Sequence, residues 1–248
     1  GDLVADGAFG SRTAALTLPY TDAPDTCGHA YVTAEQVRDH VVACTEAGLQ
    51  AGFHVIGDGA LEEVAVGFEL AEGILGDRVG AGHRLEHVEM PSPRVLDVVE
   101  RLGIHCSVQP MFDALWGGAD DMYAARLGER WRDTNPFGRL GRNVALGSDS
   151  PVTSLGPWAA IRAAAHPHVA EHAMTVTDAF AAHTSGGWGA ARLHAGDLTV
   201  GAPAHLAVWD TPAGLRAGAL PDVSPGAPLP VLRRLVSSGR TIYEGAPA

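Results

Sequence analysis

The 248 residues, 46% of them hydrophobic, suffice for one large domain or two small ones around a substantial core. Seventeen basic against twenty-nine acidic residues leave a formal charge of −12, which repels a phosphate backbone and excludes nucleic acid as a partner. No apolar run approaches the roughly 18 residues of a membrane span, and the first residues carry no targeting signal, so a membrane protein is excluded as well. Cys27, Cys44 and Cys106 are scattered without a CxxC, which argues against a disulfide scaffold or a thiolate zinc site and fits a cytoplasmic protein. Two features are unusual: there are twelve His, and every basic residue is Arg.

In chain order, residues 3–6 read as the end of a buried strand that opens directly from Gly1, the pattern expected of a fragment. Thr33 and Gln36 form a capping box, Val37, Val41 and Cys44 recur at helical spacing, and Gly48 stops the helix before a strand over 49–55. Asp58 caps a second helix carrying Leu61, Val64, Phe68 and Ala71 on one face, followed by a strand over 83–87. Ser92 with Pro93 begins a third helix that ends at Gly103, and 104–108 is the next strand. A helical stretch over 121–132 and a strand over 143–147 complete the series before Ser148-Asp149-Ser150-Pro151. Helices over 157–165 and 177–192 follow; then 204–209 and 240–243 read as strands of a small appended sheet that includes the Pro-rich 221–230.

Strict alternation of helices and short apolar strands implies parallel β-structure with right-handed crossovers. No glycine-rich phosphate turn follows the first strand, whereas polar residues stand at the C-terminal ends of several strands, so a barrel is favoured over an open doubly wound sheet. In a barrel those ends converge on one mouth: Asp6, with Asp2 inside its strand, then His54, Glu86-His87, Gln109 and Asp149. Two imidazoles and a carboxylate offer a divalent ion such as zinc the N/O donors it prefers, with a position left for water, which is a hydrolase arrangement with Asp149 as general base. Taken singly, each residue also has a plain structural reading, a hydrogen-bonded core or surface imidazole for the histidines and a turn or cap for Asp149. Their fall at successive strand ends is what favours the site. His29, His40, His105, His172, His194 and His205 are expected at surface or helix positions, while His166, His168 and His183, beyond the last strand, are candidates to reach the mouth.

Asp6-Gly7-Ala8-Phe9-Gly10-Ser11-Arg12 with Pro19-Tyr20, His54-Val55-Ile56-Gly57-Asp58, Arg84-Leu85-Glu86-His87, Ser107-Val108-Gln109-Pro110 and Gly147-Ser148-Asp149-Ser150-Pro151 together resemble amidohydrolase family 3 of the metal-dependent hydrolase superfamily. The resemblance extends to about residue 245 through Gly196-Asp197-Leu198, Leu206-Ala207-Val208-Trp209 and Gly239-Arg240-Thr241-Ile242-Tyr243. It implies an α/β fold: about strands 4–8 of a TIM-type (β/α) barrel over 1–195, and C-terminal strands of a small β-sandwich over 196–248. It further implies His54 and His87 as metal ligands on the fifth and sixth strands and Asp149, after the eighth, as the base beside the metal. Arg84, Glu86 and Gln109 would be supporting or substrate-facing.

Two departures stand out. The family's His-x-His on barrel strand one has no counterpart here, and no Lys exists to serve as its carbamylated bridge, Asp2 standing at that position. A single Zn²⁺ or other divalent ion, or a bridging role for Asp2, is expected accordingly. The activity implied is hydrolysis of a non-peptide carbon–nitrogen bond, amide or N-acyl, in a small-molecule substrate by metal-bound hydroxide, although ester, lactone or deamination chemistry also occurs on this fold. Five Trp, with Trp116 just beyond the strand ending at Gln109, suggest a partly aromatic pocket wall. Two rivals remain: a catalytically silent fragment or pseudoenzyme acting as an interaction module, and an open-sheet binder without metal, in which His54 and His87 point apart.

Overall fold

A computed structural model describes residues 1–80, 82–193, 195–211, 215–216 and 218–245. Its larger sheet has five parallel strands in sequence order, β1 (Asp2–Val4), β2 (Gly52–Val55), β3 (Arg84–His87), β4 (His105–Val108) and β5 (Val144–Leu146). The crossovers carry α1 (Ala34–Glu46), α2 (Asp58–Leu75) and α3 (Pro93–Arg101). Local chemistry starts α1 and α3 where the sequence places them, whereas Asp58, expected to cap α2, is its first helical residue: the N-cap is Gly57, and the Asp58 carboxylate accepts from Thr17. The Thr33 hydroxyl accepts from Gln36 N–H while the Gln36 side chain accepts from Thr33 N–H, and Ser92 accepts from Val95 N–H with Pro93 at the first turn.

The register aligns Leu3, Phe53, Leu85, Cys106 and Val144 across the sheet. This row packs beneath the helices, where Val37, Val41, Leu61, Val64, Phe68, Val95 and Val99 supply the opposing apolar stripes. Helices α1 and α2 come unusually close, because a Cβ on Gly67 would stand 2.5 Å from Val37 Cβ. The other face of the sheet carries Asp2, His54, Arg84 and Glu86, all partly or fully exposed. Strand pairing therefore separates an apolar face from a polar one, the period-2 consequence of the pleat.

Above the C-terminal strand ends lies a second apolar cluster of Phe9, Ala14, Leu16, Tyr20, Ile56, Met90, Tyr123, Leu127 and Trp131. It is built by the segment after β1, by Ile56 and Met90 just after β2 and β3, and by the segment after β4, which contains α4 (Pro110–Trp116) and α5 (Met122–Leu127). Asp22 clamps the two segments by accepting from both Arg12 and Arg126. The helix expected over 121–132 is two pieces, α5 and a tighter 3₁₀ turn at Gly128–Asp133, because Gly128 takes φ 59° and ends the first.

After β5 come α6 (Pro157–Ala165), α7 (Val176–Ala181) and α8 (Gly187–Ala190), the last two joined by a π turn over Ala182–Gly186 where one continuous helix was expected. The small sheet is antiparallel: β6 (Leu206–Asp210), β7 (Val231–Ser237) and β8 (Arg240–Glu244). The Pro-rich 221–230 precedes β7 rather than forming a strand, as proline's missing N–H requires. Trp209 of β6 meets Trp158 of α6 edge-on, 6.1 Å between ring centres, and so ties this sheet to the helices. Among the described residues no helix is long and apolar enough to cross a membrane.

Candidate functional site

His54 and His87 stand at the C-terminal ends of β2 and β3 with ring centres 4.5 Å apart, contrary to the open-sheet expectation that they point away from each other. Alternation along the pleat would place them on opposite faces, since His54 is level with Glu86 and His87 with Val55. The backbone resolves this: His87 takes φ 76° and Val88 φ 49°, the left-handed region that a β-branched residue rarely enters. That turn brings the His87 ring over to His54. Strain of this kind persists only where surrounding contacts enforce it, and Val88 N–H is held by the carbonyls of Val55 and Glu86.

Each ring is fixed through its outer nitrogen. His54 Nε2 donates to Gly7 O at 3.0 Å, and His87 Nδ1 donates to Gln109 Oε1 at 2.8 Å. These bonds assign His54 Nδ1 and His87 Nε2 as the nitrogens carrying lone pairs. His87 is nearly buried, and that burial, followed by the neighbouring His54, holds its pKa below the ordinary imidazole value and favours the neutral ring. Its other face stacks on Phe112 of α4 at 5.9 Å with 12° between planes.

Asp6, one of the strand-end residues expected at the mouth, serves the scaffold instead. Its fully buried carboxylate accepts from the N–H groups of Ala15, Ile56 and Gly57 at 2.8–2.9 Å, and His54 Nε2 lies 3.9 Å away. Burial outweighs these bonds and raises its pKa to about 6. The carboxylate thus laces the segment after β1 to the turn between β2 and α2. The approach demands glycine, because a Cβ on Gly57 would sit 2.1 Å from Ala15 O.

Arg84 and Glu86 are partners of one another. The Arg84 guanidinium donates to Glu86, to Gln50 and, at 3.1 Å, to Asp2. With every guanidinium nitrogen engaged, Arg84 braces the polar face of the sheet, and Asp2, considered above as a bridging ligand, is an ion-pair partner. Gln109 supports His87 directly. Asp149 is exposed at the end of β5 with φ 51°, near enough for its charge to favour protonation of His87. The later histidines disperse. His166 is exposed after α6, and His183 borders a cavity of about 820 Å³ with Trp158, Phe180 and Trp209, beside the small sheet rather than at the mouth. His168 Nδ1 pairs with the buried Asp113 carboxylate at 3.2 Å.

Of the histidines expected at surface or helix positions, His172 is buried with Nδ1 on Thr134 O at 3.0 Å, and His105 is half-buried on β4. His194 lies outside the described residues. The sequence reading missed Phe112, Asp113 and the enclosed Glu89, which accepts from the Tyr123 hydroxyl and whose pKa burial raises to about 8. The one available signal was Gln109-Pro110, which places a helix start, and so Phe112, immediately after the strand.

The donor set suits a borderline divalent ion: two imidazoles side by side, each with one ring N–H held by an oxygen, the arrangement that orients metal-bound histidines. Among the described residues no group of three or more His, Cys, Asp or Glu side chains is arranged to hold a metal ion, so Asp149 does not close a three-donor cluster with the pair.

The family model described as the amidohydrolase family matches residues 1–243. Protein LONG AFTER FAR-RED 3 of Arabidopsis thaliana is 31% identical over 221 residues, 83% of this chain and 37% of that protein. Putative amidohydrolase YtcJ of Bacillus subtilis is 31% identical over 169 residues, 65% of this chain and 30% of that protein. An uncharacterized metal-dependent hydrolase from Pyrococcus furiosus superposes with a TM-score of 0.71 at 27% identity, covering 82% of this chain and 42% of that one. The chain therefore spans well under half the length of these relatives.

Proposed function

This chain belongs to the amidohydrolase family, and from that premise we propose that it carries part of the catalytic machinery of a metal-dependent hydrolase acting on a non-peptide carbon–nitrogen bond. The five parallel strands are read as the fourth to eighth of a (β/α) barrel over 1–195, and 196–248 as closing strands of a small β-sandwich. On this reading the Pro-rich connection and β6 to β8 belong to the second unit. The observation that carries the proposal is the pair His54 and His87, 4.5 Å apart, each locked in one tautomer by an oxygen behind it.

His54 and His87 would hold the ion, Zn²⁺ or a similar divalent cation. When bound, such an ion polarises a substrate carbonyl and acidifies water. The chain's own groups do the rest. Gly7 O and Gln109 Oε1 keep the imidazoles oriented, Asp6 holds the loop that presents Gly7, and Asp149 takes a proton from the attacking water and delivers it to the leaving nitrogen. The small-molecule substrate meets the mouth formed by the segments after β1 and β4.

Cobalt(II) titration followed by visible absorption, together with zinc equilibrium dialysis, tests the ligand assignment. One ion per chain is expected, with at least a hundred-fold loss of affinity in both His54→Ala and His87→Ala; unchanged binding in the two variants refutes it. A second reading, of a chain that keeps the fold without turnover, draws on the missing third donor among the described residues. Release of ammonia or amine from simple amides by the zinc-loaded chain, lost in Asp149→Asn, overturns that alternative.

A further inference from the structure

The His87 ring is the first member of an aromatic series that leads away from the imidazole pair. Phe112 stacks on it nearly parallel, and Trp116, one helical turn further along α4, lies 4.9 Å from Phe112 with 50° between planes. Phe112 is buried and cannot itself offer a free face, whereas Trp116 is half-buried. Behind Trp116 stands the second apolar cluster, above the strand ends, against which its ring packs. Helix α4 is anchored at both ends of this wall. Gln109, immediately before it, holds His87, and Asp113, between Phe112 and Trp116, accepts from the backbone N–H of His168 at 3.0 Å and pairs with the His168 ring. The indole is therefore presented from a short helix whose position is set by a buried carboxylate on one side and by the candidate site on the other.

We propose that Trp116, backed by Phe112, forms the wall of a substrate subsite and stacks an aromatic or large flat apolar group attached to the carbonyl beside the scissile bond. This rests on the hydrolase reading of the His54 and His87 pair. The chemistry selects such a group because an aromatic ring gains from an indole at centroid distances of 4.5–7 Å both by burial and by ring–ring electrostatics, whereas a methyl group gains little. A substrate with a small acyl group leaves the indole half-wet and draws no preference from it.

The test uses phenylacetamide and acetamide with the zinc-loaded 248-residue chain. Ammonia release gives the ratio of kcat/KM for the two amides, and saturation-transfer NMR on the phenyl protons reports binding without requiring turnover. Trp116→Ala is expected to lower the phenylacetamide-to-acetamide ratio about ten-fold and to abolish the saturation transfer, with Trp116→Phe restoring most of both. Leu115→Ala, an exposed neighbour on the same helix, reports whether α4 tolerates substitution and should show wild-type saturation transfer. An unchanged ratio or undiminished transfer in Trp116→Ala overturns the subsite. Transfer that depends on Trp116 in a chain hydrolysing neither amide supports the aromatic wall and counts against the hydrolase reading, so the two failures are distinguishable.

Discussion

Protonation of His83 should destabilise this chain from within as the pH falls. His83 is 1% exposed, beneath the sheet. Its Nδ1 accepts from Ala51 N–H at 3.0 Å, just before β2, and its Nε2 lies 2.9 Å from Thr45 Oγ1. The Thr45 hydroxyl proton goes to Val41 O at 2.7 Å, so the oxygen accepts and Nε2 is the protonated nitrogen. Both ring nitrogens are thus committed in the neutral state, and a second proton would have to displace the Ala51 bond. Burial, with smaller contributions from Arg192, His40 and the N-terminus, lowers the His83 pKa to about 4. A depressed folded-state pKa makes the neutral ring's contribution complete above the unfolded value near 6.5 and lost as the pH falls through about 4. At 1.36 kcal/mol per unit, the stability at stake is roughly 3 kcal/mol.

Urea unfolding followed by tryptophan fluorescence between pH 7.5 and 4 measures this directly, with His83→Asn as the comparison. Asparagine keeps an acceptor near the Nδ1 position but does not titrate, so it should cost about 1–2 kcal/mol at pH 7.5 and flatten the decline below pH 6.5. Because Asp6 and Glu89 titrate in the same range with the opposite sign, the difference between the two proteins is the quantity that counts. Parallel curves for the wild type and His83→Asn across this range would refute the reasoning.

Three further outcomes are expected. Gln109→Leu removes the acceptor behind His87 and should weaken cobalt binding about 10–100-fold with little change in the far-ultraviolet circular dichroism, whereas Gln109→Glu should retain it. Asp6→Asn places an amide NH₂ among three backbone donors and should destabilise by about 1–3 kcal/mol, read as a lower Tm. Glu89, with its pKa raised from 4.5 to about 8 chiefly by burial, contributes stability that is complete below the unfolded value and lost as the pH rises through about 8, so Glu89→Gln should flatten the decline between the two values in the same unfolding assay.

The strand and helix series was legible in the sequence because it is local physics: Thr33 with Gln36 and Ser92 with Pro93 are caps wherever they occur, and the apolar stripes of α1 to α3 have one face to bury. The residues that reach the strand ends were legible for the same reason. Local chemistry could not show that Asp6 turns inward to the N–H groups of Ile56 and Gly57, that Arg84 is consumed by Gln50 and Asp2 as well as its neighbour Glu86, or that β7 follows a proline-rich approach, since each depends on residues from 34 to 82 positions away or on a partner strand. The meeting of His54 and His87 belongs wholly to tertiary structure. The pleat alone would send the two rings to opposite faces, and only the left-handed turn at His87 and Val88, held by the backbone of β2 and by Gln109 just after β4, brings them side by side.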